Sequence, residues 1–254
     1  MLKLALPTFL APAPLRVALG KVKEAGADGV RLDLRSELRA ADLSSTARRE
    51  LRHKLREHGL AAGPAAFPTR GTLHEEDRLD ERVAGVTAAL SLAADLGCDT
   101  LSLRPFAPPA EETPDAQRLH EVLNDLAATG QRVGVVPCVT PAADGAGWAR
   151  VLAGVTAGPV GVNLDPAAAL LAGGDPAANA RVLHRFIHAV TARDALAGGK
   201  EVPAGRGECD WEELLATLDE AAFSGWVTCD RTSGPDPFAE ASRAVAYLRD
   251  VARP

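Results

Sequence analysis

Three observations predict an α/β fold in which eight parallel strands close into a (β/α)8 barrel. Eight short apolar segments punctuate the chain, amphipathic helical stretches separate them, and their starts fall roughly 25–40 residues apart, the spacing a parallel strand needs for its crossover helix. The candidate strands are residues 2–6, 29–34, 60–66, 100–103, 133–138, 160–164, 187–191 and 226–229. Eight such units fill 254 residues with no stretch left for a linker, so residues 1–254 read as one domain. The rival is a doubly wound open sheet. Its nucleotide-binding form calls for a glycine-rich turn after the first strand, where this chain has Pro7-Thr8-Phe9.

The opening segment combines Lys3, an apolar run and the Ala11-Pro12-Ala13 tripeptide, which superficially fits a short secretory signal. Its two prolines, Pro7 and Pro12, favour a buried first strand followed by a turn. The segments that follow carry a 3.6-residue period. Leu15, Ala18, Leu19, Val22 and Ala25 share one helix face, and Leu79, Val83, Val86, Leu90 and Ala93 another. Leu119, Val122, Leu123 and Leu126, then Phe238, Ala241, Val245 and Leu248, repeat the pattern. Helix starts are marked by Thr113-Pro114 and Asp236-Pro237, a side-chain acceptor followed by a residue with no N–H to satisfy, and by Asp210 with Glu213 at capping-box spacing. Gly26, Gly59, Gly97 and Gly130 precede strands and are expected to close helices at positive φ. Residues 165–176 and 197–207 read as long loops after late strands, on the barrel face that normally carries chemistry.

Composition narrows the function. The formal charge is −6 and only 4% of residues are aromatic, so neither attraction to phosphate polymers nor a base-stacking platform is expected, and no nucleic-acid partner. The basic run Arg48, Arg49, Arg52, His53, Lys54, Arg56 reads as the wet face of one helix. No apolar run is long enough to span a bilayer, and four scattered cysteines without CxxC spacing fit a reducing cytoplasm.

Five motifs in order carry a family resemblance: residues 26–32 (GADGVRL), 161–165 (GVNLD), 190–194 (VTARD), 205–211 (GRGECDW) and 223–230 (FSGWVTCD). With them the chain resembles the xylose isomerase-like TIM barrel superfamily, in its sugar phosphate isomerase/epimerase branch, over nearly its whole length. The resemblance implies an isomerase or epimerase of a small sugar, polyol or anionic sugar derivative, with a divalent ion held by Glu, Asp, His and Glu after the fifth to eighth strands. Carried onto this chain, those positions are Pro137 or Cys138, Asp165, Thr191 and Asp230, so half the ligand set is missing. No tightly bound cofactor is expected; Asp165 and Asp230 are left as a weak or absent site for Mg²⁺, Mn²⁺ or Zn²⁺. Arg31 replaces a family Glu and Arg193 a family Lys.

The residues expected to carry chemistry are therefore Asp165, Asp230 and Arg193, with Arg31, Arg70, Arg104, Phe106, Thr191 and Arg206 binding substrate. Arg31, Arg35, Arg70, Arg104, Arg193 and Arg231 fall near strand C-termini, where they either converge on an anion or pair with acids such as Asp33, Asp99, Asp165, Asp194 and Asp230 as rim scaffolding. Gly205-Arg206-Gly207 offers backbone donors to an anion or simply a tight loop. Phe67 and Trp226 are further pocket candidates, Trp148 and Trp211 fit helix starts, and His74 suits either the mouth or a helix cap. His184 and His188 sit four apart in a helical-looking segment without an HExxH pattern, and His53, His58 and His120 fit helix surfaces. No Gly-x-Ser-x-Gly elbow is present. Three readings stand open: the isomerase or epimerase, a metal-free carbohydrate- or anion-binding barrel, and an assembly surface, with a homo-oligomer left open by the resemblance.

Overall fold

The computed structural model describes residues 2–11, 14–196 and 199–252. Ala197 and Gly198, where the second long loop was expected to begin, and Pro12 and Ala13 of the Ala-Pro-Ala tripeptide lie outside the described residues. Eight parallel strands close into a barrel: β1 Lys3–Pro7, β2 Gly29–Asp33, β3 Ala61–Phe67, β4 Thr100–Phe106, β5 Val136–Pro141, β6 Gly161–Leu164, β7 Ile187–Ala192 and β10 Trp226–Cys229. Each pairs with its neighbour in sequence order, and β1 closes the ring against β10 through Lys3 with Trp226, Leu4 with Val227 and Ala5 with Thr228. Around it lie α1 Leu15–Glu24, α2 Ser45–Glu57, α3 Leu79–Leu96, α4 Pro114–Val133, α5 Gly145–Ala153, α6 Pro166–Leu171, α7 Pro176–Leu183, α8 Trp211–Glu220 and α9 Pro237–Val251.

The helix faces read from periodicity are the buried ones: Ala18, Leu19 and Val22 on α1, Leu119, Val122, Leu123 and Leu126 on α4, Ala241, Val245 and Leu248 on α9. The expected caps are made. Thr113, Asp210 and Asp236 accept from the backbone N–H of Ala116, Glu213 and Ala239. The basic run falls on α2, where Arg48 pairs with Asp95 and Lys54 with Glu57.

Four expectations are corrected. Gly130 does not end its helix: it is buried inside α4, where a Cβ would lie 2.4 Å from the Val135 carbonyl, and Gly134, at φ 78°, makes the turn. The fifth strand accordingly starts at Val136 and runs on to Pro141. The stretch 165–176 is mostly not loop, since Asp165 starts α6 and Asp175 starts α7. In the 197–207 stretch, β9 Glu201–Val202 folds back antiparallel on β8 Asp194–Ala195. His184 and His188 share no helix; the first lies on a 3-10 turn and the second on β7.

Side-chain packing tapers the barrel to one open end. Trp226 fills its N-terminal end, where a Cβ on Gly29 would lie 2.8 Å from the indole ring. At the other end the inward positions turn polar, and there the barrel opens.

Candidate functional site

A cavity of about 240 Å³ occupies the C-terminal mouth, lined by residues of β2 to β7 and by residues that follow β1 and β10. Its base is a row of uncharged polar side chains on adjacent strands. Thr191 donates to Asn163 Oδ1 (3.1 Å), Asn163 Nδ2 to Thr140 Oγ1 (3.2 Å), and Thr140 to the Leu103 carbonyl (2.8 Å). Ser102 on β4 donates to the Ala65 carbonyl at 3.2 Å. Period-2 alternation along each strand puts these four residues inward and their neighbours into the helix layer. Each hydroxyl has given its proton to the protein, so its lone pairs are what it presents to the cavity.

Three carboxylates stand above this row, and all six of their oxygens already accept hydrogen bonds. Asp165 caps α6 through Oδ1, taking the Ala168 N–H at 3.1 Å, and takes Arg193 on Oδ2, with Nε at 3.1 Å. Asp230 takes Arg31 Nη2 at 2.7 Å and the Arg231 N–H at 2.7 Å. Asp33 turns back on its own loop, accepting from Arg35 N, Ser36 N and Ser36 Oγ. The side chains of Asp165 and Arg193 are 4% and 13% exposed, so this pair is screened little by solvent.

The Asp165–Arg193 pair opens a longer chain of charges. Arg193 Nη1 reaches Glu201 at 3.1 Å, Glu201 takes Arg231 Nη1 at 2.8 Å, and Arg231 Nε reaches Glu240 on α9 at 2.6 Å. Thr232 adds two further bonds to Glu201. Burial pulls the Arg193 pKa down, but Asp165, Glu201 and Asp230 outweigh it and hold the guanidinium above its ordinary value. It is permanently charged and cannot serve as a base.

Of the residues expected to form a site, Asp165, Asp230, Arg193, Arg31, Arg104 and Thr191 all line this one cavity. Among the described residues Arg104, exposed at the rim, forms no ion pair, and Arg31 lies under the Phe9 ring at 5.6 Å with a buried Nε–H that finds no acceptor. Arg70 lies in a separate cavity with Arg35 and Phe67. Phe106 is core, edge-on to Trp148 at 4.9 Å. Arg206 is exposed and outside the mouth cavity, and the N–H groups of its flanking Gly205 and Gly207 serve an internal anion, the Asp194 carboxylate, at 3.0 and 3.1 Å. Trp226 lies at the opposite end of the barrel. On β5 neither Pro137 nor Cys138 lines the cavity; Thr140 does, one inward step beyond Cys138, on a strand that runs three residues past the expected end. Sequence reasoning missed Ser102, Thr140 and Asn163, legible only as inward positions once strand bounds are known, and Glu201, which has no local signal.

The donor set does not fit the divalent ion that the resemblance implies. Arg193 stands among Asp165, Glu201 and Asp230 and already supplies positive charge to them, and burial pushes the Cys138 thiol far above its usual range, away from the thiolate a metal needs. Among the described residues, no group of three or more His, Cys, Asp or Glu is arranged to hold a metal ion. Nor, among those residues, is any helix long and apolar enough to cross a membrane.

The fold has close structural counterparts. A xylose isomerase domain protein from Planctomyces limnophilus superposes with a TM-score of 0.85 at 21% identity, covering 98% of this chain and 96% of that one. The 3-keto-D-glucoside 4-epimerase of E. coli, in its apo form, gives 0.77 at 17% identity over 98% and 100% of the two chains. A xylose isomerase-like TIM barrel protein from Mycobacterium smegmatis in complex with magnesium gives 0.78 at 16% over 99% and 96%. At these identities the likeness is one of fold. No protein of curated function matches the chain by sequence. The family model for the xylose isomerase-like TIM barrel matches residues 19–251, nearly the whole barrel with the mouth just described, and to that family the chain belongs.

Proposed function

We propose that this barrel is a metal-independent member of its family that binds a small sugar, polyol or anionic sugar derivative in the mouth cavity. One observation carries the reading: arginines hold both carboxylates on which the family's metal chemistry would depend, Arg193 on Asp165 and Arg31 on Asp230. Metal-assisted isomerisation needs a polarising cation and a free base to move the proton. Here the positive charge beside Asp165 and Asp230 comes from guanidinium groups, and no carboxylate lining the cavity has an oxygen without a donor.

The same arrangement suits a hydroxylated ligand. Ser102 and Thr191 offer lone pairs to ligand hydroxyls, while the Arg31 and Arg104 guanidinium groups offer donors to ligand oxygens or to an acidic substituent. A cavity of about 240 Å³ sits below the usual range for drug-sized ligands and fits a monosaccharide-sized one. In this reading Asp165, Asp230 and Arg193 shape and neutralise the cavity, the whole chain acts as one domain, and the four buried free cysteines accord with a reducing cytoplasm.

Calorimetric titration with pentoses, hexoses, their polyols and uronic acids, in buffer containing EDTA, tests the proposal. Saturable binding that weakens about tenfold in Thr191→Val, which keeps the shape and removes the hydroxyl, is the expected result. Stoichiometric Mn²⁺ uptake with turnover of a keto sugar, abolished by Asp165→Asn, would overturn it in favour of the isomerase.

A further inference from the structure

A second cavity opens on the same barrel face. It encloses about 360 Å³ and is formed by the segments after β2 and β3 and the first turn of α3. Three guanidinium groups line it, and among the described residues none of them is in an ion pair, although the Glu75 carboxylate lies near Arg82 beside Gly71. Arg35 lies over the Phe67 ring at 5.3 Å, Arg70 is exposed, and Arg82 is buried, 8% exposed. Arg82 is the informative one. Its two terminal nitrogens donate to the backbone carbonyls of Asp77 and Glu75, and its Nε–H is buried with no acceptor. A buried charge normally has a counter-ion, and a buried N–H normally has an acceptor.

Opposing charge is present but does not cancel these cations. A fourth arginine, Arg78, is paired with Glu81, and the side chains of Glu75 and Asp77 are exposed, so four arginines face three acids. We propose that this cavity is a phosphate site, in which Arg35, Arg70 and Arg82 hold a phosphate group, free or as a monoester. Three guanidinium groups on separate segments can each reach a different oxygen of a tetrahedral dianion, whereas a carboxylate offers only two oxygens in one plane. The site is distinct from the mouth cavity and does not require the sugar reading: Asp33 and Ala66 line the mouth cavity, and their near neighbours Arg35 and Phe67 line this one.

Titration of the full chain with inorganic phosphate and with a hexose 6-phosphate tests this. Saturable phosphate binding is expected, lost at least tenfold in Arg35→Gln/Arg70→Gln, retained in the surface control Arg49→Gln/Arg132→Gln, and weakening below about pH 6 as the dianion takes a proton. Tighter binding of the ester than of inorganic phosphate identifies an organic phosphate as the ligand; equal binding identifies free phosphate; either supports the site. Equal phosphate affinity in wild type and Arg35→Gln/Arg70→Gln, or no saturable binding at millimolar phosphate, overturns it. Arg70 is exposed and Arg35 half-buried, neither in an ion pair among the described residues, so the variant is expected to fold, and binding of an unphosphorylated polyol in the same variant reports separately on the mouth cavity.

Discussion

Asp165 shows how one side chain can be withdrawn from the chemistry its position suggests. One oxygen caps α6 and the other anchors Arg193, so both are engaged by the chain itself. Replacing it with Asn keeps the cap but strips Arg193 of a charged partner. Breaking a buried pair costs about 3–5 kcal/mol, and here the low end is expected because Glu201 still holds the guanidinium. Urea unfolding at neutral pH measures it, and a neutral effect would show the pair to be dispensable. Glu37, in the loop after β2, behaves differently. Burial lifts its carboxyl above the ordinary glutamate value despite the bond from Thr8. The folded chain therefore holds this proton to higher pH than the unfolded chain, and stability falls as pH rises from about 4.3 through the raised value. The Tm advantage of Glu37→Gln over wild type is expected to grow across that window; a difference independent of pH would contradict the assignment.

Single elements are held by single residues in places that their sequence neighbourhood does not disclose. Asp194, fully buried at the start of β8, accepts from the backbone N–H of Ala195, Gly205, Gly207 and Cys209 and from the Trp211 indole. It pins the segment that carries Glu201 back toward the mouth. Asp194→Ala is expected to speed proteolytic cleavage within 199–208 before global unfolding, read by limited proteolysis; unchanged cleavage would show that the segment holds itself. Phe106 works in the interior of the packing between β4 and α5, where the Trp148 indole also donates to its carbonyl at 3.3 Å. Phe106→Ala should cost about 3–5 kcal/mol in denaturant unfolding, the usual cost of emptying an aromatic position in a core, while sugar binding per folded molecule stays unchanged.

Across the whole molecule, the charge chain from Asp165 to Glu240 ties β6, the β8–β9 segment, the loop after β10 and α9 together around one side of the mouth. Guanidinium groups take up the negative field there, so divalent ions have little to gain. Thermal unfolding is expected to give the same Tm after exhaustive dialysis against EDTA and after addition of Mn²⁺. A rise with Mn²⁺ would mean that an ion displaces Arg193.

Strand and helix identity, the caps and the buried helix faces were legible in the amino-acid pattern because they depend on neighbours within a few residues: Thr113 needs only Ala116, and Leu119 finds Val122 and Leu123 one turn on. The sequence also placed Asp165, Asp230, Arg193, Arg31 and Arg104 at strand ends, hence on one face of a barrel. What those charges do was settled only in three dimensions. Arg31 meets Asp230 across 199 residues, Arg193 reaches Glu201 from a turn with no local signature, and Phe106, at a strand end like the others, faces the helix layer. Partner choice among buried charges depends on closing the ring and on the register of each strand, and these are properties of the assembled barrel.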